Sequence, residues 1–95
     1  MLDISYENLR IEPTLASTRE LLKHNKDLTD VLEILENGYG CSASKRAKNI
    51  VEKCLRKDNK EIKVVVAKTH IVYPDNYKED VWRLLHFGII AFKKR

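Results

Sequence analysis

The sequence predicts an α+β fold, in which a two-helix hairpin packs on one face of a three- to four-stranded antiparallel sheet. Three observations predict it. Two capped, amphipathic segments stand side by side between Thr14 and Gly38. The run Ile62-Lys63-Val64-Val65-Val66-Ala67 is β-branched and too short for a globular helix, so it reads as a buried strand. A second apolar run, Val81 to Ile90, follows the turn signal Pro74-Asp75-Asn76 and reads as the last strand.

Residues 1–13 form an N-terminal arm. Leu2, Ile4 and Tyr6 alternate there, which fits a short strand or an extended segment. Pro13 ends whatever precedes it, because the residue before a proline is pushed out of the α region.

The helical hairpin is expected over 14–38. Ser17-Thr18-Arg19-Glu20 has the form of a capping box, and the helix has room to begin as early as Thr14. Leu15 and Leu22 are seven apart and share a face. Asn25 is suited to a left-handed cap after His24. In the second helix Asp27 is the expected N-cap, and Asp30 adds negative charge to the first turn. Leu28, Val31, Leu32 and Leu35 follow helical spacing, and Gly38 stops the helix.

The sheet is expected over 46–90, followed by a basic tail over 91–95. Ala47, Ile50, Val51, Cys54 and Leu55 fit a helix by period. Asp58-Asn59, however, is a two-residue turn candidate set directly against the Lys60–Lys68 strand. A hairpin would pair Asn49–Lys57 with that strand.

A chain of 95 residues supports one domain. With 43% hydrophobic and 34% charged residues it is globular rather than disordered. No apolar run approaches the ~20 residues of a membrane span. The N-terminus lacks the basic-then-apolar pattern of a signal peptide. A cytoplasmic protein with no membrane association is therefore expected. The absence of glutamine beside abundant Lys and Glu leans towards a thermophile.

Cys41 and Cys54, with three scattered histidines, do not make a zinc site, and no metal or cofactor is expected. A disulfide between the two cysteines is disfavoured in a reducing compartment, so small buried thiols are the simpler expectation.

The net charge of +4 and a pI near 9.1 favour an anionic partner. Lys45-Arg46-Ala47-Lys48 is the densest basic cluster inside the domain and follows a loop of small residues, Tyr39 to Ser44. It reads either as a solvated charge run or as a phosphate-contacting patch. His86 stands in an apolar frame on the same expected face as Trp82 and Leu84. It is either a packed structural histidine or an acid/base group, since its ordinary pKa lies near neutrality. Arg83 is three residues away, so the two point to opposite faces of a regular strand and share one only across a bulge. Glu52 and Lys53 likewise face opposite ways. Trp82 is expected in the core. Tyr39, Tyr73 and Tyr77 are loop residues able to stack on bases or on a partner.

Three stretches carry a family likeness: Ser17 to Gly38; Ser44-Lys45-Arg46 with Glu52-Lys53-Cys54 and Lys63-Val64-Val65-Val66; and Val81 to Gly88 with its late histidine. Together they resemble the RelE/ParE-like toxin superfamily, in its small uncharacterised branch. The resemblance implies that residues 47–57 are a strand and that the sheet leaves one partly open, basic face. It further implies a toxin of a toxin–antitoxin pair that cleaves RNA without metal, with RNA or the ribosome as target and an antitoxin protein as partner. His86 would be the catalytic residue, and Lys45, Arg46, Lys48 and Lys53 would contact nucleic acid. The first helix departs from that branch, carrying Ser17-Thr18 where a histidine often stands. A non-catalytic basic module contacting nucleic acid or a protein partner is the alternative.

Overall fold

The computed structural model describes residues 4–40 and 48–91. Its elements are β1 (Ser5–Tyr6), β2 (Leu9–Pro13), α1 (Leu15–Lys23), α2 (Leu28–Asn37), β3 (Tyr39–Gly40), β4 (Ile50–Lys57), β5 (Lys60–Val72) and β6 (Lys78–Ala91). The strands form one six-stranded sheet in the order β1-β2-β6-β5-β4-β3. It is mixed, because β2 runs parallel to β6 while the other neighbours are antiparallel. The sheet curls into a half-barrel.

The expected N-terminal helical hairpin on a small antiparallel sheet is thus overturned. Two strands precede the helices, and the sheet has six strands. The reason lies in residues 4–13. Glu7 and Asn8 adopt φ of 48° and 68°, the left-handed pair that closes a two-residue hairpin. The turn folds Leu9–Pro13 back, and Ile11 then buries completely against the core. Pro13 is the last residue of β2, opposite Leu84.

Each helix is fastened by its first turn. The cap of α1 is Thr14, and Ser17 is its third helical residue rather than the cap. Ser17 N–H donates to Thr14 Oγ1 at 3.1 Å, and Thr14 N–H donates to Ser17 Oγ at 2.9 Å. Thr14 Oγ1 also lies 3.0 Å from the Leu84 carbonyl, which ties the helix start to β6. Asn25 takes φ 56°, as a left-handed cap requires. In α2 the Asp27 carboxylate accepts from Thr29 and Asp30 N–H, while Asp27 N–H donates to Asp30.

Gly38 ends α2 through close approach, not through positive φ. A Cβ there would stand 2.4 Å from the Ile34 carbonyl oxygen and 2.7 Å from that of Cys54.

The core lies between the helices and one face of the sheet. Leu21, Val31, Ile34 and Leu35 meet Ile11, Ile62, Val64, Val66, Trp82, Leu84 and Phe87. Trp82 Nε1 donates to the Tyr6 carbonyl at 3.0 Å, which satisfies its one polar atom. Leu15 and Leu22 do share a face of α1, but it is the solvent face, where they are 70% and 73% exposed.

Residues 50–57 are a strand. Asp58 and Asn59 take φ of 52° and 64° and return the chain into β5 in register, with Lys57 opposite Lys60. Beyond Val81 and Ala67, β5 and β6 continue as a two-stranded arm closed by a turn over Tyr73–Tyr77.

Candidate nucleic-acid interface

The face of the sheet away from the helices carries most of its charged groups, and the ladder fixes their order. Direct cross-strand partners share a face. One row is Glu12, Arg83, Ala67 and Ile50; the next is His86, Val65 and Glu52; the next is Gly88, Lys63, Cys54 and Tyr39. Arg10 and Glu79 lie towards the arm, and Glu61 and Arg56 towards the opposite end.

A bulge decides where His86 points. The β5–β6 register shifts between Val65 and Val66, which face His86 and Leu84, so Leu85 is the extra residue. His86 therefore leaves the face of Trp82 and Leu84, where regular alternation would put it. It is exposed and joins Arg83 on the outer face. Among the described residues it forms no hydrogen bond or ion pair. Its imidazole lies over Gly88, with Nε2 2.8 Å from where a Cβ on that glycine would stand. The reading of His86 as a histidine packed on Trp82 is thereby corrected.

The other predicted residues scatter. Lys53 stands opposite Val64, half-buried on the helix side, on the reverse of the sheet from His86. Lys48 is exposed in the turn before β4. Lys45 and Arg46 lie outside the described residues, as does Cys41. Glu52 and Lys53 do face opposite ways, as strand alternation demands.

The outer face is not basic. Arg10, Arg56, Lys63 and Arg83 are matched there by Glu12, Glu52, Glu61 and Glu79. Lys63 Nζ lies 2.8 Å from Glu52 Oε2, whose side chain is only 4% exposed. Arg10 pairs with Glu12 and with Glu79, the latter at 3.1 Å. The hydrogen bonds that Arg10 donates to Glu79 and Glu12 push its guanidinium up. Arg10 and the Tyr73 hydroxyl, which donates to Glu79 at 2.6 Å, hold the Glu79 carboxyl below its ordinary value. That same bond raises Tyr73.

The described residues as a whole are balanced. Of the 18 Lys and Arg, Lys45, Arg46, Lys93, Lys94 and Arg95 fall outside them; of the 14 acids, Asp3 does. The surplus of +4 therefore comes from the short sequences 41–47 and 92–95, less the one charge of Asp3. Charge matching on the sheet follows from cross-strand pairing, which favours opposite signs and which composition does not report.

A recess of about 550 Å³ opens where the chain passes from β3 into the first of these sequences. It is lined by Tyr39, Gly40, Cys54, Arg56, Glu61, Lys63 and Ile90. Tyr39 is 45% exposed, and its hydroxyl donates to Glu61 at 2.9 Å. Desolvation, then that bond, raises its pKa. Cys54 at the floor is buried as expected, but it is disulfide-bonded rather than a free thiol. The ladder sets Tyr39 opposite Cys54, so distance along the chain does not measure distance in space here. The sequence singled out the basic cluster at 45–48 but not the recess, whose walls come from four strands.

Among the described residues no group of three His, Cys, Asp or Glu is placed to hold a metal ion, and no helix is long and apolar enough to cross a membrane. Comparison with protein-family models, with curated proteins and with solved structures gave no match.

Proposed function

We propose that this chain is a non-catalytic nucleic-acid-binding module that takes single-stranded RNA. One observation carries the reading: an exposed tyrosine, an arginine and a lysine, with Glu61, line an open recess that includes Gly40, five positions before the basic cluster Lys45-Arg46-Ala47-Lys48 in the sequence. Single strands are held by this combination, with bases stacked on aromatic rings and phosphates met by cations. The expected partners are RNA or a ribosomal RNA surface, approached through Lys45, Arg46 and Lys48.

The test is fluorescence anisotropy of a labelled single-stranded oligoribonucleotide across a salt series. Binding should weaken with salt, and Lys45→Gln/Arg46→Gln/Lys48→Gln should flatten the slope by roughly 2, at about 0.7 for each phosphate no longer neutralised. Tyr39→Ala should weaken binding roughly 10-fold, the scale of one stacked base. Binding that ignores both salt and these changes would defeat the proposal.

A second reading, metal-independent RNA cleavage by a toxin held in check by an antitoxin, draws on a different observation. The bulge puts Arg83 and His86 on one exposed face, a cation for the phosphate beside an acid/base group. Induced expression in a bacterial host should then arrest growth with loss of RNA, and His86→Ala should relieve both. Intact RNA in a cleavage assay that includes ribosomes would leave binding alone.

A further inference from the structure

We infer that a second recess, at the end of the sheet where β4 turns into β5, is a phosphate site built from Lys26, Lys57 and Lys60. The recess measures about 140 Å³ and is lined by those three lysines with Asp58, Ile62 and Ile89. The inference deepens the RNA-binding reading and rests on it for the source of the phosphate.

Three separate parts of the chain supply the lysines that line it. Lys26 comes from the connection between α1 and α2, Lys57 ends β4, and Lys60 begins β5. The left-handed turn Asp58-Asn59 sets Lys57 and Lys60 directly opposite each other. Among the described residues none of the three lysines forms an ion pair, with Asp58 or with any other carboxylate. This is unlike the outer face, where Arg10 and Lys63 are paired. Like charges gathered in one recess repel, and a bound anion turns that cost into attraction.

The chemistry of the recess selects the anion. Lysine meets phosphate as a compact point charge, and three ammonium groups match the spread of charge over phosphate oxygens. Asp58 leaves a net charge of two cations, which suits a phosphate mono- or diester. Ile62 and Ile89 form an apolar wall that strengthens the field inside. The volume holds one phosphate group with a few waters, each water taking ~30 Å³. Lys60 pairs with Ala91, the last residue of β6, so β6 ends at this same end of the sheet. A backbone phosphate of a single strand fits this placement.

The test uses the full chain and two probes. Inorganic phosphate is titrated while amide resonances of Lys26, Lys57, Asp58, Lys60 and Ile62 are followed by NMR. A single-stranded oligoribonucleotide is titrated by anisotropy. Lys26→Gln/Lys57→Gln/Lys60→Gln is compared with Lys23→Gln/Lys68→Gln/Lys78→Gln, which removes the same charge elsewhere. In the wild type and the control, phosphate should shift the recess resonances in a saturable way. In the recess variant those shifts should disappear, and RNA affinity should fall at least 10-fold, against less than threefold for the control. No saturable shift in the wild type, or the same shift in the recess variant, overturns the site. Loss of the phosphate shifts with RNA affinity no lower than the control's leaves a site for free phosphate and overturns its role in RNA binding.

Discussion

Arg83 stands opposite Ala67 and His86 stands opposite Val65, so two residues three apart on one strand face the same way. Regular alternation forbids that arrangement, and one extra residue, Leu85, permits it. The same bulge keeps Leu84 and Phe87 on the core face, both fully buried. His86→Ala should therefore change unfolding free energy by less than about 0.5 kcal/mol in urea titration, as befits an exposed residue without bonds. Phe87→Ala, one position on, should cost about 3–5 kcal/mol. A large loss for His86→Ala would show the histidine to be structural.

Two glycines should respond differently to alanine. At Gly38 a Cβ would press on two backbone carbonyl oxygens, which have nowhere to go. Gly38→Ala should destabilise the chain by about 2–3 kcal/mol through overpacking. At Gly88 the obstacle is the far end of the exposed His86 side chain, which swings away. Gly88→Ala should stay within about 0.5 kcal/mol of the wild type. Thermal melting of the two variants side by side checks the contrast.

Lys63→Ala should be costly for a surface-facing lysine. It removes the ammonium 2.8 Å from the Glu52 carboxylate, whose side chain is almost wholly buried. Losing this pair from an almost wholly buried carboxylate should cost about 2 kcal/mol, less than a fully buried pair because Lys63 is itself a third exposed. Lys57→Ala, at an exposed position, should be nearly neutral in the same urea titration.

The Arg10–Glu79–Tyr73 cluster makes stability sag at both ends of the pH scale. Glu79 is held below its ordinary 4.5 by Arg10 first and Tyr73 second. Its contribution is thus complete above about pH 4.5 and lost as pH falls through the lower folded value. Tyr73 is raised above 10.0 by the bond to Glu79, so its contribution is present below pH 10 and lost as pH climbs through the higher folded value. Glu79→Gln should flatten the acid limb of a melting-temperature profile. In the same variant the phenolate titration of Tyr73, followed by its ultraviolet absorbance, should move back towards 10.0.

The sequence by itself determined the local features. Asp27 and Asp30 close the start of α2 on each other, Asn25 takes the left-handed cap, and Asp58-Asn59 makes the β4–β5 turn. These depend on hydrogen bonds and backbone preferences spanning a few residues, and residue type at short spacing reports them directly. It also marked Trp82 as core. The cap of α1 is Thr14, the earliest start the sequence allowed, and its hydrogen bond to Leu84, 70 positions away, is one that short-range residue type does not report.

Only the tertiary structure decided the rest. The parallel seam between β2 and β6 depends on register between segments some 70 residues apart, and the five residues of β2 carry no sign of their partner. The bulge at Leu85 flips every later side chain relative to a regular strand, yet leaves no mark in an apolar run that alternates poorly. The outer face appeared basic because net charge sums over the whole chain. Pairing across strands neutralised it, and the surplus falls on sequences outside the described residues. The lysine recess has the same origin: three residues with no shared motif meet because a turn and an interhelix connection end at one pole of the molecule.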